Sequence, residues 1–211
     1  MSLWGHVFAA AYDRAMAGPE RASLHAHRAR LVPQATGRVI EIGGGTGVNL
    51  GFYGPDVREL VIAEPEAPMA KRLERRLRAH PTLVTRAQVI GASAEALPLP
   101  DTSIDAAVAT LVLCTVADPA RALAELRRVL IPGGKLLFME HVRAAEPRLA
   151  TWQDRLHGVH KFTGHGCHCN RPTLANIEGA GFTVTDLVHD RMRRTLPIVS
   201  PLIVGTAVTP G

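Results

Sequence analysis

The residues best suited to chemistry are two carboxylates set around a glycine-rich turn. Glu41-Ile42-Gly43-Gly44-Gly45-Thr46-Gly47 follows the apolar pair Val39-Ile40 and precedes a run that can start a helix. That order predicts a strand, a tight turn and a helix N-terminus. Glycine has no Cβ, so such a turn lets backbone amides approach a nucleotide-like ligand. Glu64 lies 23 residues beyond Glu41, at the end of the apolar run 60–63. A carboxylate at the tip of the second strand is placed to bond both hydroxyls of a ribose.

Two ligand classes compete for this turn. A dinucleotide pyrophosphate wants Gly-x-Gly-x-x-Gly, but counting from Gly43 the third glycine falls on Val48, and Gly47 comes one residue early. The Glu41 carboxylate repels a pyrophosphate and attracts a cation. S-adenosylmethionine carries an ammonium and a sulfonium and no phosphate, so electrostatics favour it over a nicotinamide dinucleotide. Ala92-Ser93-Ala94-Glu95-Ala96-Leu97-Pro98 follows the third predicted strand, where an adenine ring would lie. Backbone amides and Ser93 can bond the adenine edge there, and Ser93 can also cap a short helix.

For the methyl acceptor, His141 is the first candidate. It falls just past the carboxyl end of the fifth predicted strand, the edge where open α/β sheets bind ligands. A base at that edge takes a proton from a nucleophile; the competing reading is a half-buried histidine bonded to a loop carbonyl. His157, His160, His165, Cys167, His168 and Cys169 cluster in sequence, and His157 and His160 suit one helix face. Imidazole and thiolate are the usual zinc ligands, but no recognised zinc spacing is present. The sequence therefore assigns no metal and reads this segment as a cap over the acceptor pocket, with Cys167 lining it.

Strands expected at 39–42, 60–63, 89–90, 104–109 and 135–139 alternate with helices expected at 67–80 and 120–130, which implies a parallel sheet covered by helices on both faces. Asp118 is a plausible N-cap with Pro119 at the first helical position, and Pro132-Gly133-Gly134 supplies a turn. Residues 1–37 read as helical, with Trp4, Val7, Phe8, Tyr12 and Met16 near helical spacing, a break at Gly18-Pro19 and a second helix over 20–31. Tyr12 and these helices are expected to cover the cofactor and keep water from a reactive sulfonium. Thr173–Gly179 reads as a helix, and 182–188 and 202–208 as a hairpin-like strand pair at one sheet edge.

Composition narrows the classes. A 46% hydrophobic, 20% charged chain of 211 residues suits one globular α/β domain. The net charge of +5 comes from arginines scattered through helical stretches, and 4% aromatic content leaves few platforms for stacking bases, so no nucleic-acid partner is expected. Three cysteines give no disulfide framework and imply a reducing compartment. The longest apolar stretch, 106–117, is shorter than the ~20 residues a membrane span requires.

The three cofactor elements resemble the class I S-adenosylmethionine-dependent methyltransferases, in the methyltransferase type 11-like branch of ubiquinone/menaquinone-type and small-molecule enzymes. The stretches 105–116, 127–134 and 139–142, Gly166-Cys167 followed by Arg171 and a helix, and the ending Pro201-Leu202-Ile203-Val204-Gly205 are similar to the animal alkyl thiol methyltransferases. The resemblance implies a Rossmann-like, seven-stranded, mostly parallel sheet with helices on both faces, the class I methyltransferase fold. It implies methyl transfer from S-adenosylmethionine to a small-molecule acceptor, with S-methylation of small thiols preferred. O-, N- or C-methylation of a phenolic, quinone or natural-product acceptor, and non-catalytic cofactor binding, are the alternatives. The implied cofactor contacts are Tyr12, Glu41, Gly43, Gly44, Gly45, Gly47, Asn49, Glu64, Pro65, Met69, Ser93, Ala94, Glu95, Leu111, Val112 and Cys114, and the implied catalytic residues are His141 and Cys167.

One domain is expected, with a helical cap over 1–37, a cofactor core over 38–141 and an acceptor-side segment over 142–211. The animal proteins carry an N-terminal membrane anchor, and none is visible here. The chain is expected to be cytoplasmic, a monomer or homodimer, with membrane contact at most peripheral. Ser93 stands where the wider family often has an acidic residue.

Overall fold

The computed structural model describes the backbone from Leu3 onward and side chains from Ala11 onward, so Trp4, Val7 and Phe8 lie outside the described side chains. Its centre is a run of strands whose residues are buried on both faces. β1 (Gly37–Ile42), β2 (Val57–Ala63), β3 (Ala87–Ile90), β4 (Ile104–Thr110) and β5 (Leu130–His141) are parallel, and β6 (Thr183–Arg191) and β7 (Pro201–Val208) are antiparallel to their neighbours. The spatial order is β3-β2-β1-β4-β5-β7-β6. The seven-stranded sheet, its parallel body and its final strand pair at one edge are as the sequence predicts.

Side-chain alternation separates two cores. On one face Val39, Leu60, Ile62, Ala106, Val108, Leu137 and Met139 meet Leu24 and Leu31 from the N-terminal helices and Leu73 and Leu77 from α3 (Ala67–Arg78). On the other, Ile40, Ile42, Ala107, Ala109, Leu136 and Phe138 meet Leu123 and Leu126 of α4 (Pro119–Val129) and Ile177 of α6 (Thr173–Gly179). The near-continuous apolar strands of a parallel sheet require this double cover. Asp118 caps α4, its carboxylate accepting from the Arg121 amide at 3.1 Å, with Pro119 in the first turn.

Four local expectations change. The helix predicted to begin at the glycine turn is a single 3₁₀ turn, Leu50–Phe52, because Gly47, Gly51, Gly54 and Pro55 deny a helix its interior. Gly18-Pro19 does not break the N-terminal helix. α1 (Leu3–Pro19) runs through a π-helical turn, Glu20–Leu24, into α2 (His25–Leu31). Proline lacks an N–H and crowds the carbonyl four residues back, and the wider turn relieves that crowding. Residues 94–96 form a turn rather than the short helix Ser93 was to cap, closed by the Ala96 amide on the Ser93 carbonyl at 3.1 Å. The His-rich segment contains a 17-residue helix, α5 (Pro147–Thr163), that periodicity does not reveal. Its exposed face carries Trp152, Leu156, Val159 and Phe162, which blurs the apolar stripe. Among the described residues no helix is long and apolar enough to cross a membrane.

Gln153 explains how α5 docks. Its fully buried amide nitrogen lies 2.9–3.1 Å from the carbonyls of Val142, Cys169 and Ile198, and its oxygen accepts from the Ala144 amide at 2.8 Å. One side chain thus ties three loops together. Gln153→Leu leaves several backbone groups buried without partners, at ~1–3 kcal/mol each. The expected result is a fall in Tm of roughly 10 °C, read by a thermal scan; an unchanged Tm would mean the amide is not what holds these loops.

Candidate functional site

The strand order reverses between β1 and β4, and the carboxyl ends of β1, β2, β4 and β5 open on one edge at that switch point, the binding edge of such sheets. The glycine turn leaves β1 there. Gly43 and Gly45 adopt φ of +61° and +55°, values that favour glycine. A Cβ on Gly43 would lie 2.2 Å from Cγ2 of Val112, so the turn packs directly on the segment after β4. A Cβ on Gly45 would meet nothing nearer than the Gly43 carbonyl at 3.9 Å, so this part of the turn is open to a ligand.

Glu64 stands beside that opening. Its Oε2 accepts the Gly45 amide at 2.7 Å and its Oε1 the Glu66 amide at 2.9 Å. Burial pushes its carboxyl up to about 6, against the lowering pull of those two amides. Glu41 behaves differently. It is buried, and its oxygens take the Asn49 amide at 2.8 Å and the Tyr53 hydroxyl at 2.7 Å. Arg28 of α2, itself paired with Glu20, reaches Asn49 Oδ1 at 2.6 Å and Thr110 Oγ1 at 3.0 Å. Burial raises the Glu41 carboxyl, and the Tyr53, Asn49 and Arg28 contacts oppose that. Glu41 and Asn49 thus sit in a polar network beneath the turn. Arg28, Tyr53 and Thr110 belong to it and were not singled out by the sequence.

α1 is latched to the turn. Thr46 donates to Asp13 at 2.6 Å, and Arg76 of α3 bonds both. The adjacent Tyr12 hydroxyl is pushed up to about 12 by burial, with Arg28 opposing and Cys114 adding to the shift, which sets it near the segment after β4. Further along, Met69 is buried on α3 and Pro65 is exposed. Ser93 bonds Glu95, whose other oxygen accepts the Ala117 amide at 2.8 Å; Ala94 is buried beside them. A cavity of about 900 Å³ lies elsewhere, between α4 and α6, and has no residue of the turn in its lining.

The segment after β4 is organised by Glu140, which sequence reasoning passed over. This fully buried carboxylate accepts the amides of Val112, Leu113 and Cys114 at 3.0, 2.9 and 3.2 Å. Burial lifts it to about 7 despite those three bonds. The available signal was a carboxylate inside an otherwise apolar strand, beside His141. Leu111 holds φ +59° at the start of this segment, its amide on the Met139 carbonyl at 2.7 Å. The Arg171 guanidinium and the His168 amide then bind the carbonyls of Leu113 and Cys114 at 2.7 and 2.8 Å.

Those bonds bring together three residues from distant parts of the chain. Cys167 Sγ stands 3.7 Å from Cys114 Sγ and 3.5 Å from His141 Nδ1, all three buried. The Cys167 thiol is drawn well down, chiefly by its bond from Cys114 and against burial, with His141 and His160 assisting. The Cys114 thiol is pushed well up in consequence. Among the described residues, His141 Nε2 is buried without a hydrogen-bond partner. The rest of the sequence cluster divides: His160 stays beside Cys167, His157 and His168 pack ring to ring at 4.7 Å, Cys169 joins the core under the N-terminal helices, and His165 faces Glu66 at 4.0 Å.

The donor set fits S-adenosylmethionine. An open glycine face beside a desolvated carboxylate suits a ribose and a cation, and a carboxylate at the turn disfavours a pyrophosphate. Residues 40–138 match the family model of the methyltransferase domain. The human thiol S-methyltransferase TMT1B is 36% identical over 179 residues, covering 82% of this chain and 72% of that protein. The human thiol S-methyltransferase TMT1A is 33% identical over 203 residues, covering 95% and 82%. Among solved structures, the N-methyltransferase NodS from Bradyrhizobium japonicum, bound to S-adenosyl-L-homocysteine, aligns with TM-score 0.67 at 16% identity over 90% of this chain and 87% of that one. The [4+2]-cyclase SpnF aligns with TM-score 0.70 at 21% identity, covering 89% and 80%. Likeness at that level shows the fold, which hosts more than one chemistry.

Proposed function

This chain belongs to the S-adenosylmethionine-dependent methyltransferases of the methyltransferase domain family, and from that premise we propose that its acceptor is a small thiol. The observation that carries the proposal is the buried Cys114–His141–Cys167 group at the carboxyl edge of β4 and β5, together with the thiol activity that the names of TMT1A and TMT1B carry.

The cofactor supplies an electrophilic methyl carbon on a sulfonium with a good leaving group. The protein's task is then mainly alignment, which is worth up to ~7–11 kcal/mol of a barrier. In this reading Glu64 holds the ribose hydroxyls, and the Gly43–Gly47 turn receives the methionine end. Pro65 and Met69 flank the ribose, and Ser93, Ala94 and Glu95 frame the adenine. Leu111, Val112 and Cys114 form the floor, and Tyr12 with α1 closes over the top to exclude water. Glu41 and Asn49 act from below, holding the turn in shape. His141 and Cys167 meet the acceptor. One domain, with a cap over 1–37, a cofactor core over 38–141 and an acceptor side over 142–211, is part of the same proposal. So are a cytoplasmic setting, which three cysteines outside any disulfide support, and a monomeric or homodimeric state.

The test is a panel of alkyl thiols, phenols and amines with S-adenosylmethionine, read as demethylated cofactor. Thiols are expected to turn over; reaction with phenols or amines and not thiols would overturn the acceptor class. In the same assay His141→Ala is expected to keep cofactor affinity within about twofold and to lose ~100-fold or more in turnover. Unchanged turnover would remove His141 from the acceptor side.

A further inference from the structure

The acceptor-side group gathers two thiols and an imidazole, all metal-ligating types, at one buried spot. Cys167 Sγ lies 3.7 Å from Cys114 Sγ and 3.5 Å from His141 Nδ1. A disulfide does not account for the spacing, since its sulfurs sit only ~2.05 Å apart. A tetrahedral zinc ion does. With Zn–S of ~2.3 Å and Zn–N of ~2.05 Å, the S···S edge is ~3.75 Å and the S···N edge ~3.55 Å. The two observed separations are those edges, and all three donor atoms lie within 4.8 Å of one another.

We infer that Cys114, His141 and Cys167 bind a divalent zinc-type ion whose fourth position takes the sulfur of the acceptor. Two thiolates and an imidazole select zinc over magnesium, calcium or manganese. Two thiolates also neutralise the dication, so a buried site carries no net charge. The ligands are held in advance: Glu140 fixes the Cys114 amide, β5 fixes His141, and the His168 amide on the Cys114 carbonyl fixes the loop of Cys167. Three protein ligands leave one position open, the arrangement of catalytic rather than structural zinc. None of this was legible in the spacing of the His- and Cys-rich segment, because Cys114 and His141 lie outside it.

The fourth-position assignment rests on the thiol reading above. An acceptor thiol binding there loses its proton to solvent and stays a thiolate at neutral pH. Its lone pair forms the new S–CH₃ bond. The methyl–sulfonium bond breaks with its electron pair going to the cofactor sulfur, giving a neutral thioether and neutral S-adenosylhomocysteine. His141 serves here as a ligand, and no separate base is required.

The experiment uses the whole chain purified without an affinity tag. Metal content is measured by mass spectrometry, and the chelated protein is reloaded with Co(II). About one zinc per chain is expected, with Co(II) giving thiolate charge-transfer absorption and intense tetrahedral bands. Cys167→Ser is expected to weaken metal binding by ~10–100-fold or more while S-adenosylmethionine affinity, which reports folding, is retained. Adding an alkyl thiol without cofactor is expected to shift the Co(II) spectrum, and a phenol is not. A wild-type chain with no stoichiometric metal and no charge-transfer band overturns the site, whatever the acceptor panel gives. Bound metal whose spectrum ignores thiols overturns the fourth-position assignment and leaves the cofactor reading standing. Thiol turnover by metal-free protein likewise separates the two, sparing the acceptor class and sinking the ion.

Discussion

Glu64→Ala is expected to weaken S-adenosylmethionine binding by roughly 100-fold or more, since two hydrogen bonds to an ionised carboxylate contribute ~1.5–3 kcal/mol each. The carboxylate is 6% exposed and already bonded to the Gly45 and Glu66 amides, so it is held still before the ribose arrives. Titration of wild type and variant by calorimetry checks the effect, and comparable affinities would remove Glu64 from the cofactor site. The same carboxyl sets a pH dependence. It titrates at about 6, raised by burial, so cofactor affinity is expected to fall as pH drops through 6 and the acceptor oxygens are lost. Glu64→Gln should flatten that fall. The free protein moves the opposite way: between about 6 and the ordinary 4.5 the folded chain takes up this proton before the unfolded chain does. This group therefore adds stability as pH falls across that window.

Gly43→Ala is the second large effect. The residue sits at φ +61°, and its new Cβ would lie 2.2 Å from Val112 Cγ2 and 2.7 Å from Val112 Cβ. The left-handed backbone alone costs an alanine ~1–2 kcal/mol, and the clash must move either the turn or the segment after β4. That segment is fastened by Glu140 and carries Cys114, so it resists. The expected outcome is loss of measurable cofactor binding and a fall in Tm of several degrees. Val112→Gly in the same chain removes both colliding atoms and should recover part of the binding, but not the backbone cost. No recovery in the double variant would mean that the collision is not the cause.

Much of the framework was legible. β1, β2 and β4 announce themselves as apolar runs because a parallel sheet buries both faces, and Asp118-Pro119 and Thr173–Gly179 carry local signals that tertiary contacts did not need to override. The misses have local causes as well. The helix after the glycine turn depended on residues 47–55, where glycine and proline outweigh the start signal. The break at Gly18-Pro19 assumed that proline must end a helix, whereas a π-helical turn absorbs it. α5 escaped notice because its outer face is apolar too, so a one-sided stripe was not there to be read.

The sequence by itself determined the cofactor. The glycine turn and Glu64 lie close together in the chain, and backbone conformation and charge type are local properties that spacing records. Only the tertiary structure decided how those groups work together and where the acceptor side lies. It turned Glu41 into the buried neighbour of Asn49 and Tyr53, and it left Glu64 at the opening. It also drew Cys114 from the segment after β4, His141 from β5 and Cys167 from the loop after α5 into one buried group, while sending Cys169 into the core and His165 towards Glu66. Contacts between residues 26 and 53 positions apart follow from strand order and from buried anchors such as Glu140 and Gln153, and neither leaves a period in a single chain.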